Sequence, residues 1–152
     1  MQAYSNSRSV SALNPSWHMI ALRRFHRLFD LLQESILRRI GAGKSFRIGP
    51  ILRDYPTPMR RKMLAWSKSS NLWKQRTAII CQLGFKAETD LKLLYACIEP
   101  SLGSREFFLQ KAIGWALRQY AWIDGDEIKK YVRLNRTRLK ALSCREALKN
   151  LD

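Results

Sequence analysis

Three basic side chains recur along this chain at an almost constant interval and could together bind an anionic polymer. Arg76, Lys111 and Arg145 are separated by steps of 35 and 34 residues. Similar local sequences at Gln75–Ile79 and Gln110–Ile113 indicate an internal repeat. Steps of this length are typical of helical repeats, in which one pair of helices stacks on the next. Stacking would align the three cations on one face, where they could bind a phosphate backbone.

The sequence offers no pattern for metal or disulfide chemistry. Cys81, Cys97 and Cys144 are widely spaced and form no C-x-x-C pair, and His18 and His26 lie eight residues apart. An odd number of scattered cysteines is typical of a protein from a reducing compartment. We therefore expect neither a metal ion nor a cofactor.

The overall charge also favours an anionic partner. The 152 residues include 28 lysines and arginines but only 12 aspartates and glutamates, which gives a formal net charge of +16. With 46% hydrophobic and 26% charged residues, the composition is that of a folded domain. No stretch reaches the ~18 apolar residues of a membrane span. Nucleic acid is the commonest partner of so basic a protein.

The elements that must position these side chains are predicted to be helices. The sequence pattern of the chain changes near residue 45. Residues 1–17 are rich in serine and asparagine, and His18–Ile40 has apolar residues at the spacing of one amphipathic helix. Several glycines then interrupt the pattern. We predict a divergent N-terminal segment over residues 1–45, whose helix caps a helical-repeat domain over residues 46–152.

From residue 48 onward the sequence predicts short helices separated by turns, with almost no strand signals. A first helix over Ile48–Tyr55 ends at Pro56. The predicted caps of the later helices are Thr57, Asn71, Thr89, Ser104 and Asp124, with Ser143 and Glu146 at the spacing of a capping box. The prediction is an all-α fold that forms a short curved solenoid, with Trp66 and Trp73 in its core.

Three segments together carry a family resemblance. They are residues 65–80 (AWSKSSNLWKQRTAII), 104–120 (SREFFLQKAIGWALRQY) and 142–149 (LSCREALK). These segments resemble the DNA alkylation repair enzyme family, the AlkD-type alkylpurine DNA glycosylases, and the resemblance extends over roughly two-thirds of the chain. The segment KAIGWALRQY is the most specific to the family. Repeat packing requires apolar residues there, but it does not require glycine and tryptophan followed by arginine.

The resemblance implies a superhelix of HEAT-like repeats whose concave face binds duplex DNA. The implied activity is hydrolysis of the N-glycosidic bond of alkylated purines, such as 3-methyladenine and 7-methylguanine, without flipping the base. Trp115 matches a family tryptophan that meets the sugar of the lesion, and Arg76 matches an arginine that contacts the DNA backbone. We further expect Lys111, Arg118 and Arg145 to contact phosphates. The expected protein is a monomer that binds alkylated or distorted duplex DNA in the cytoplasm and at the nucleoid.

The resemblance fails in one segment that the implied chemistry needs. The family's catalytic aspartate and second tryptophan should fall at about Gly41 and Leu37, and no carboxylate lies between Glu34 and Asp54. Losing one preorganised electrostatic group commonly lowers a rate about 10²–10³-fold. The sequence leaves open an active glycosylase, a non-catalytic DNA-binding relative and a truncated fragment. A helical-repeat scaffold for a protein partner, and RNA binding, also stay open.

Overall fold

The regular structure of the described chain is entirely helical. The computed structural model describes residues 48–151, where it contains seven α-helices and no strand. The helices are α1 (Ile48–Asp54), α2 (Pro56–Ser67), α3 (Leu72–Ile79), α4 (Leu91–Ile98), α5 (Phe107–Ala121), α6 (Gly125–Leu134) and α7 (Ala141–Leu148). Short 3₁₀ turns at Lys86–Glu88 and Glu99–Ser101 flank α4. The prediction of an all-α fold is confirmed, and none of these helices is long and apolar enough to cross a bilayer.

The described residues belong to the second of two units into which the chain divides, Arg39–Asp152. The predicted segment over residues 1–45 lies outside the described residues. The same holds for the helix predicted at His18–Ile40 and for its role as a cap.

Alternate helices pack against each other, so that most of the described chain forms two rows. In one row, α3 contacts α5, and α5 contacts α7 most extensively. In the other row, α2 packs on α4, and the rings of Tyr95 in α4 and Tyr131 in α6 stack with their centroids 4.1 Å apart. The basic positions Arg76, Lys111 and Arg145 fall in α3, α5 and α7. The repeat therefore places all three in one row of helices.

Side-chain caps set the starts of two helices in the predicted way. At α3, the Asn71 side chain accepts hydrogen bonds from the backbone N–H groups of Trp73 and Lys74. At α6, the Asp124 carboxylate accepts one from the N–H of Glu127. Each cap pairs donors that have no partner within the helix. The local sequence is therefore sufficient to start α3 and α6.

Three other predicted caps lie one or two residues from the observed ones, and at α2 and α4 a neighbouring residue is better suited to the helix start. Helix α2 begins at Pro56 and not after Thr57, since a proline ring fits the first turn, where its missing N–H costs nothing. Asp90, and not Thr89, caps α4 through its carboxylate. Ser104 accepts a hydrogen bond from a backbone N–H just before α5, so it stabilises the preceding turn.

An apolar core lies between the two rows. Its most fully buried aliphatic side chains include Ile79, Ile98, Ile113, Leu117 and Ile128. Burying a side chain of this size contributes about 1.5–3 kcal/mol to the free energy of unfolding. Trp66 is 4% exposed, as predicted, whereas Trp73 is only half-buried. Three free thiols are also buried: Cys81, Cys97 and Cys144.

Candidate nucleic-acid interface

A cleft of about 300 Å³ opens between α3, α5 and α7, the row that carries the basic residues. We name it the basic cleft. Four of the five predicted site residues line it: Arg76, Lys111, Trp115 and Arg118. Three residues that were not predicted for the site complete the lining: Phe107, Phe108 and Glu146. The fold therefore brings together a tryptophan, three cations and one carboxylate.

One face of α5 presents three of these side chains. Lys111, Trp115 and Arg118 are separated by four and three residues, the intervals at which helix side chains project from the same side. The Trp115 ring is half-buried and packs against the apolar core, and it also lines the basic cleft. Core packing thus restrains the ring while part of its surface stays open to a ligand.

Arg76 in α3 is the most unusual charged group of the basic cleft. The residue is 8% exposed, and its buried Nε atom has no hydrogen-bond partner in the described part of the chain. Burial lowers the pKa of Arg76 from its ordinary value, and no carboxylate of residues 48–151 offsets that effect. A buried cation without a partner is costly, and arginine does not escape the cost by losing its proton. The site therefore suits an anion that comes from outside the described chain.

Glu146 in α7 is the only acidic side chain that lines the basic cleft within the described residues. One carboxylate oxygen lies 3.3 Å from Nζ of Lys111, and the other lies 3.1 Å from Nη1 of Arg118. Burial alone would raise the pKa of Glu146, but the hydrogen bond from Lys111 and the charges of Lys111, Arg118 and Lys149 lower it overall. Glu146 is therefore ionised and links the two cations of α5.

Glu146, and not Arg145, takes the third place of the repeat in the basic cleft. Arg145 is exposed on α7 and is not among the residues that line the cleft. Glu146 follows Lys111 by 35 residues, the same step that separates Lys111 from Arg76. The side chains of neighbouring helix residues point about 100° apart, so a shift of one position moves a side chain off the face that lines the basic cleft. The equal interval of 35 residues was a sequence signal for Glu146. The prediction missed it because only cationic residues were considered for the third position. A phosphate contact by Arg145 stays a prediction.

The predicted capping box of Ser143 and Glu146 is wrong, because α7 begins at Ala141 and both side chains bond to α5. The Ser143 hydroxyl donates a hydrogen bond to the carbonyl oxygen of Gln110 at 3.0 Å. A Cβ atom added at Gly114 would lie 2.4 Å from Cβ of Glu146, so only glycine permits this approach of the two helices. Gly114 thereby allows α7 to bring Glu146 into the basic cleft.

We expect Gly114→Ala to lower the free energy of unfolding by about 1–3 kcal/mol, because the added methyl group overlaps Glu146 and the backbone of α7. The effect has the opposite sign to the usual gain of ~0.5–1 kcal/mol for alanine over glycine inside a helix. Urea unfolding followed by circular dichroism measures it. Gly103→Ala is the matched control, since nothing lies within 4 Å of a Cβ added there. Equal effects of the two substitutions would contradict the close approach of α5 and α7.

Aromatic rings form one edge of the basic cleft. Phe107 and Phe108, in the first turn of α5, are 55% and 44% exposed. The Phe108 ring lies 5.3 Å from the ring of Trp73 and 5.5 Å from that of Phe107, measured between centroids. Sequence reasoning missed this edge, because consecutive apolar residues can share the buried stripe of an amphipathic helix, as Leu93 and Leu94 of α4 do.

A second cleft, of about 290 Å³, lies among α1, α2 and the turn at Lys86–Glu88, but its charges are paired internally. Arg53 pairs with Glu88 at 3.2 Å, and Arg60 pairs with Asp90. Since the charges of these cations are already offset by carboxylates, an external anion would gain less by binding to them. The basic cleft is therefore the better candidate for a functional site.

The positions at which the resemblance places the catalytic aspartate and the second tryptophan, about Gly41 and Leu37, lie outside the described residues. Asp54 is exposed at the end of α1 and is not among the residues that line the basic cleft. In residues 48–151, no three histidine, cysteine, aspartate or glutamate side chains gather to hold a metal ion.

Over the described residues, the fold and the site define an all-helical domain with a cationic cleft lined by a tryptophan. Residues 45–151 match the model of the DNA alkylation repair enzyme family, and the chain belongs to that family. A solved structure from Enterococcus faecalis, described as a "predicted DNA alkylation repair enzyme", is 30% identical to this chain, with a TM-score of 0.64. The similarity covers 70% of this chain and 49% of that one, so this chain spans about half the length of that relative. No curated protein matches the sequence.

Proposed function

We propose that this protein binds duplex DNA in the basic cleft and hydrolyses the N-glycosidic bond of alkylated purines such as 3-methyladenine and 7-methylguanine. The observation that carries the proposal is the buried Arg76, whose Nε atom has no hydrogen-bond partner in residues 48–151, in the same cleft as Trp115. Membership of the DNA alkylation repair enzyme family supports DNA as the anion and alkylated bases as the substrate.

Phosphate binding in this proposal begins with Arg76, whose planar guanidinium can donate two parallel hydrogen bonds to one phosphate. Lys111 and Arg118 extend the cationic surface along α5, with side chains 46% and 22% exposed. The net charge of +16 adds a long-range attraction to a polyanion. These features favour a backbone contact, which positions DNA without reading its sequence.

Trp115 is the residue to which we assign a role in the chemistry. An alkylated purine leaves readily because it already carries a positive charge, so the barrier lies in the sugar. As the bond from C1′ to the base nitrogen breaks, positive charge develops on the sugar; water then adds to C1′ and loses a proton. The face of a tryptophan ring attracts a nearby cation by ~0.5–2 kcal/mol. A ring restrained by the core satisfies the need for a preorganised group.

A non-catalytic DNA-binding protein is the second candidate, and the state of Glu146 favours it. The carboxylate that lines the basic cleft is already neutralised by Lys111 and Arg118. If Glu146 keeps these partners when DNA is bound, the protein keeps the backbone contacts and lacks an anion to offset the charge on the sugar. A scaffold for a protein partner is less favoured, because an apolar face would suit that role better than three cations.

The salt dependence of binding tests the shared part of both candidates. We expect fluorescence anisotropy of a labelled duplex, titrated with the full chain at several NaCl concentrations, to give a log–log slope near −5, the value for roughly six neutralised phosphates. An affinity independent of salt would contradict binding in the basic cleft. Release of 7-methylguanine above the spontaneous rate would then support the glycosylase, and binding without release would support the non-catalytic relative.

A further inference from the structure

Groups of both signs line the basic cleft, which distinguishes it from a simple phosphate site. Arg76, Lys111 and Arg118 are cationic, whereas Glu146 is anionic and Trp115 offers an aromatic ring. A carboxylate together with an aromatic face is the combination that binds organic cations. The lining is thus complementary to a nucleotide that carries a negative phosphate and a positive charge on its base or sugar.

The three side chains of the ion-pair network are not equally accessible. The side chain of Glu146 is 14% exposed, that of Arg118 is 22% exposed and that of Lys111 is 46% exposed. A phosphate that approaches from solvent can therefore reach the two cations more easily than the carboxylate. Once phosphates pair with the cations, the charge of Glu146 is no longer compensated within the cleft.

We propose that Glu146 is a specificity-determining residue that favours a positively charged nucleotide over a neutral one. The inference rests on the proposed binding of DNA in the basic cleft. Bound phosphates take Lys111 and Arg118 as partners, and the carboxylate then attracts a cation held near Trp115. Without such a cation, the uncompensated carboxylate disfavours binding, so undamaged DNA is held less tightly.

A role limited to structure would not require this arrangement. The close contact of α5 and α7 is already made by Gly114 and by the hydrogen bond from Ser143 to Gln110. Glu146 makes its ion pairs where that contact faces the basic cleft. These ion pairs engage cations that DNA would otherwise bind. Glu146→Gln keeps the shape of the side chain and one acceptor oxygen, but it removes the charge and replaces the other oxygen by an NH2 donor. It therefore tests the charge with little change in packing.

Two duplexes that differ at one residue test the proposal with the full chain. One contains a pyrrolidine analogue of the abasic sugar, whose ring nitrogen is protonated, and the other contains the neutral tetrahydrofuran analogue. We expect the wild type to bind the cationic duplex at least about 10-fold more tightly, as for a charge-assisted contact. In Glu146→Gln, the preference should fall below about 2-fold, while affinity for the neutral duplex rises because Lys111 and Arg118 are released.

Glu99→Gln is the matched control, because Glu99 pairs with Arg138 outside the basic cleft. It should leave the preference for the cationic duplex unchanged, and Glu146→Asp should retain part of it. Equal affinity of the wild type for both duplexes would overturn the proposal, as would a preference that survives in Glu146→Gln, even if salt-dependent binding is intact. Failure to bind either duplex would instead overturn the proposed function together with this inference.

Discussion

Replacing Arg76 with alanine should weaken the binding of duplex DNA roughly 10- to 100-fold, the largest loss expected for any one cation of the basic cleft. Arg76 is already largely buried, its Nε atom has no hydrogen-bond partner among the described residues, and it makes no ion pair there, so a phosphate contact breaks none. Lys111 and Arg118 should contribute less, because DNA must displace Glu146 from them. Anisotropy titrations with two duplexes of unrelated sequence should show the same loss of affinity for both, since a phosphate contact does not depend on the base sequence.

Arg133→Ala is the matched control for Arg76→Ala. It removes the same charge from an exposed position of α6, in the other row of helices, and we expect at most about a 2-fold loss, through weakened long-range attraction. Arg76→Lys should recover part of the affinity, because an ammonium group keeps the charge but not the planar pair of donors. Equal losses in Arg76→Ala and Arg133→Ala would show that net charge, and not the basic cleft, governs binding.

Trp115→Ala should slow the release of 7-methylguanine from DNA by up to about 30-fold, the factor that corresponds to a tryptophan–cation interaction of ~2 kcal/mol, the upper end of its range. The loss should appear in the rate at saturating protein, because the ring is proposed to interact with charge that develops as the bond to the base breaks. Single-turnover release of the labelled base measures this rate.

Two variants separate chemistry from folding in this experiment. Trp115→Phe keeps an aromatic face and most of the packing against the core, so it should lose less activity than Trp115→Ala. Trp122→Ala removes an exposed tryptophan just after the end of α5 and should leave release unchanged. If Trp115→Ala folds and still releases the base at the wild-type rate, the assignment of Trp115 to the chemistry is wrong.

The sequence was sufficient for the parts of the fold that depend on local interactions. Asn71 and Asp124 start their helices through hydrogen bonds to residues within one turn, so their roles can be predicted without tertiary structure. Where two candidates are adjacent, as with Thr89 and Asp90, composition does not decide which one caps the helix. The row formed by α3, α5 and α7 was also predictable, because a period of two helices brings alternate helices together.

The basic cleft was predictable only along α5. Lys111, Trp115 and Arg118 share one helix, so their spacing alone puts them on one face. The choice between Arg145 and Glu146 depends instead on the rotation of α7 against α5. That rotation follows from the close approach at Gly114 and from side-chain packing, which one sequence does not reveal.

The burial of the three thiols has a consequence for a protein that belongs to a family named for the repair of alkylation. Electrophiles that alkylate DNA also attack cysteine, and they do so through the thiolate. Burial raises the pKa of the Cys81 thiol well above its ordinary range, with a further contribution from Cys97, and raises the pKa of Cys97 to about 12. Cys144 is shielded by its burial in the core. The three cysteines of the folded protein therefore present no ready thiolate to the reagents that create the lesions, so alkylation of cysteine need not disable the protein.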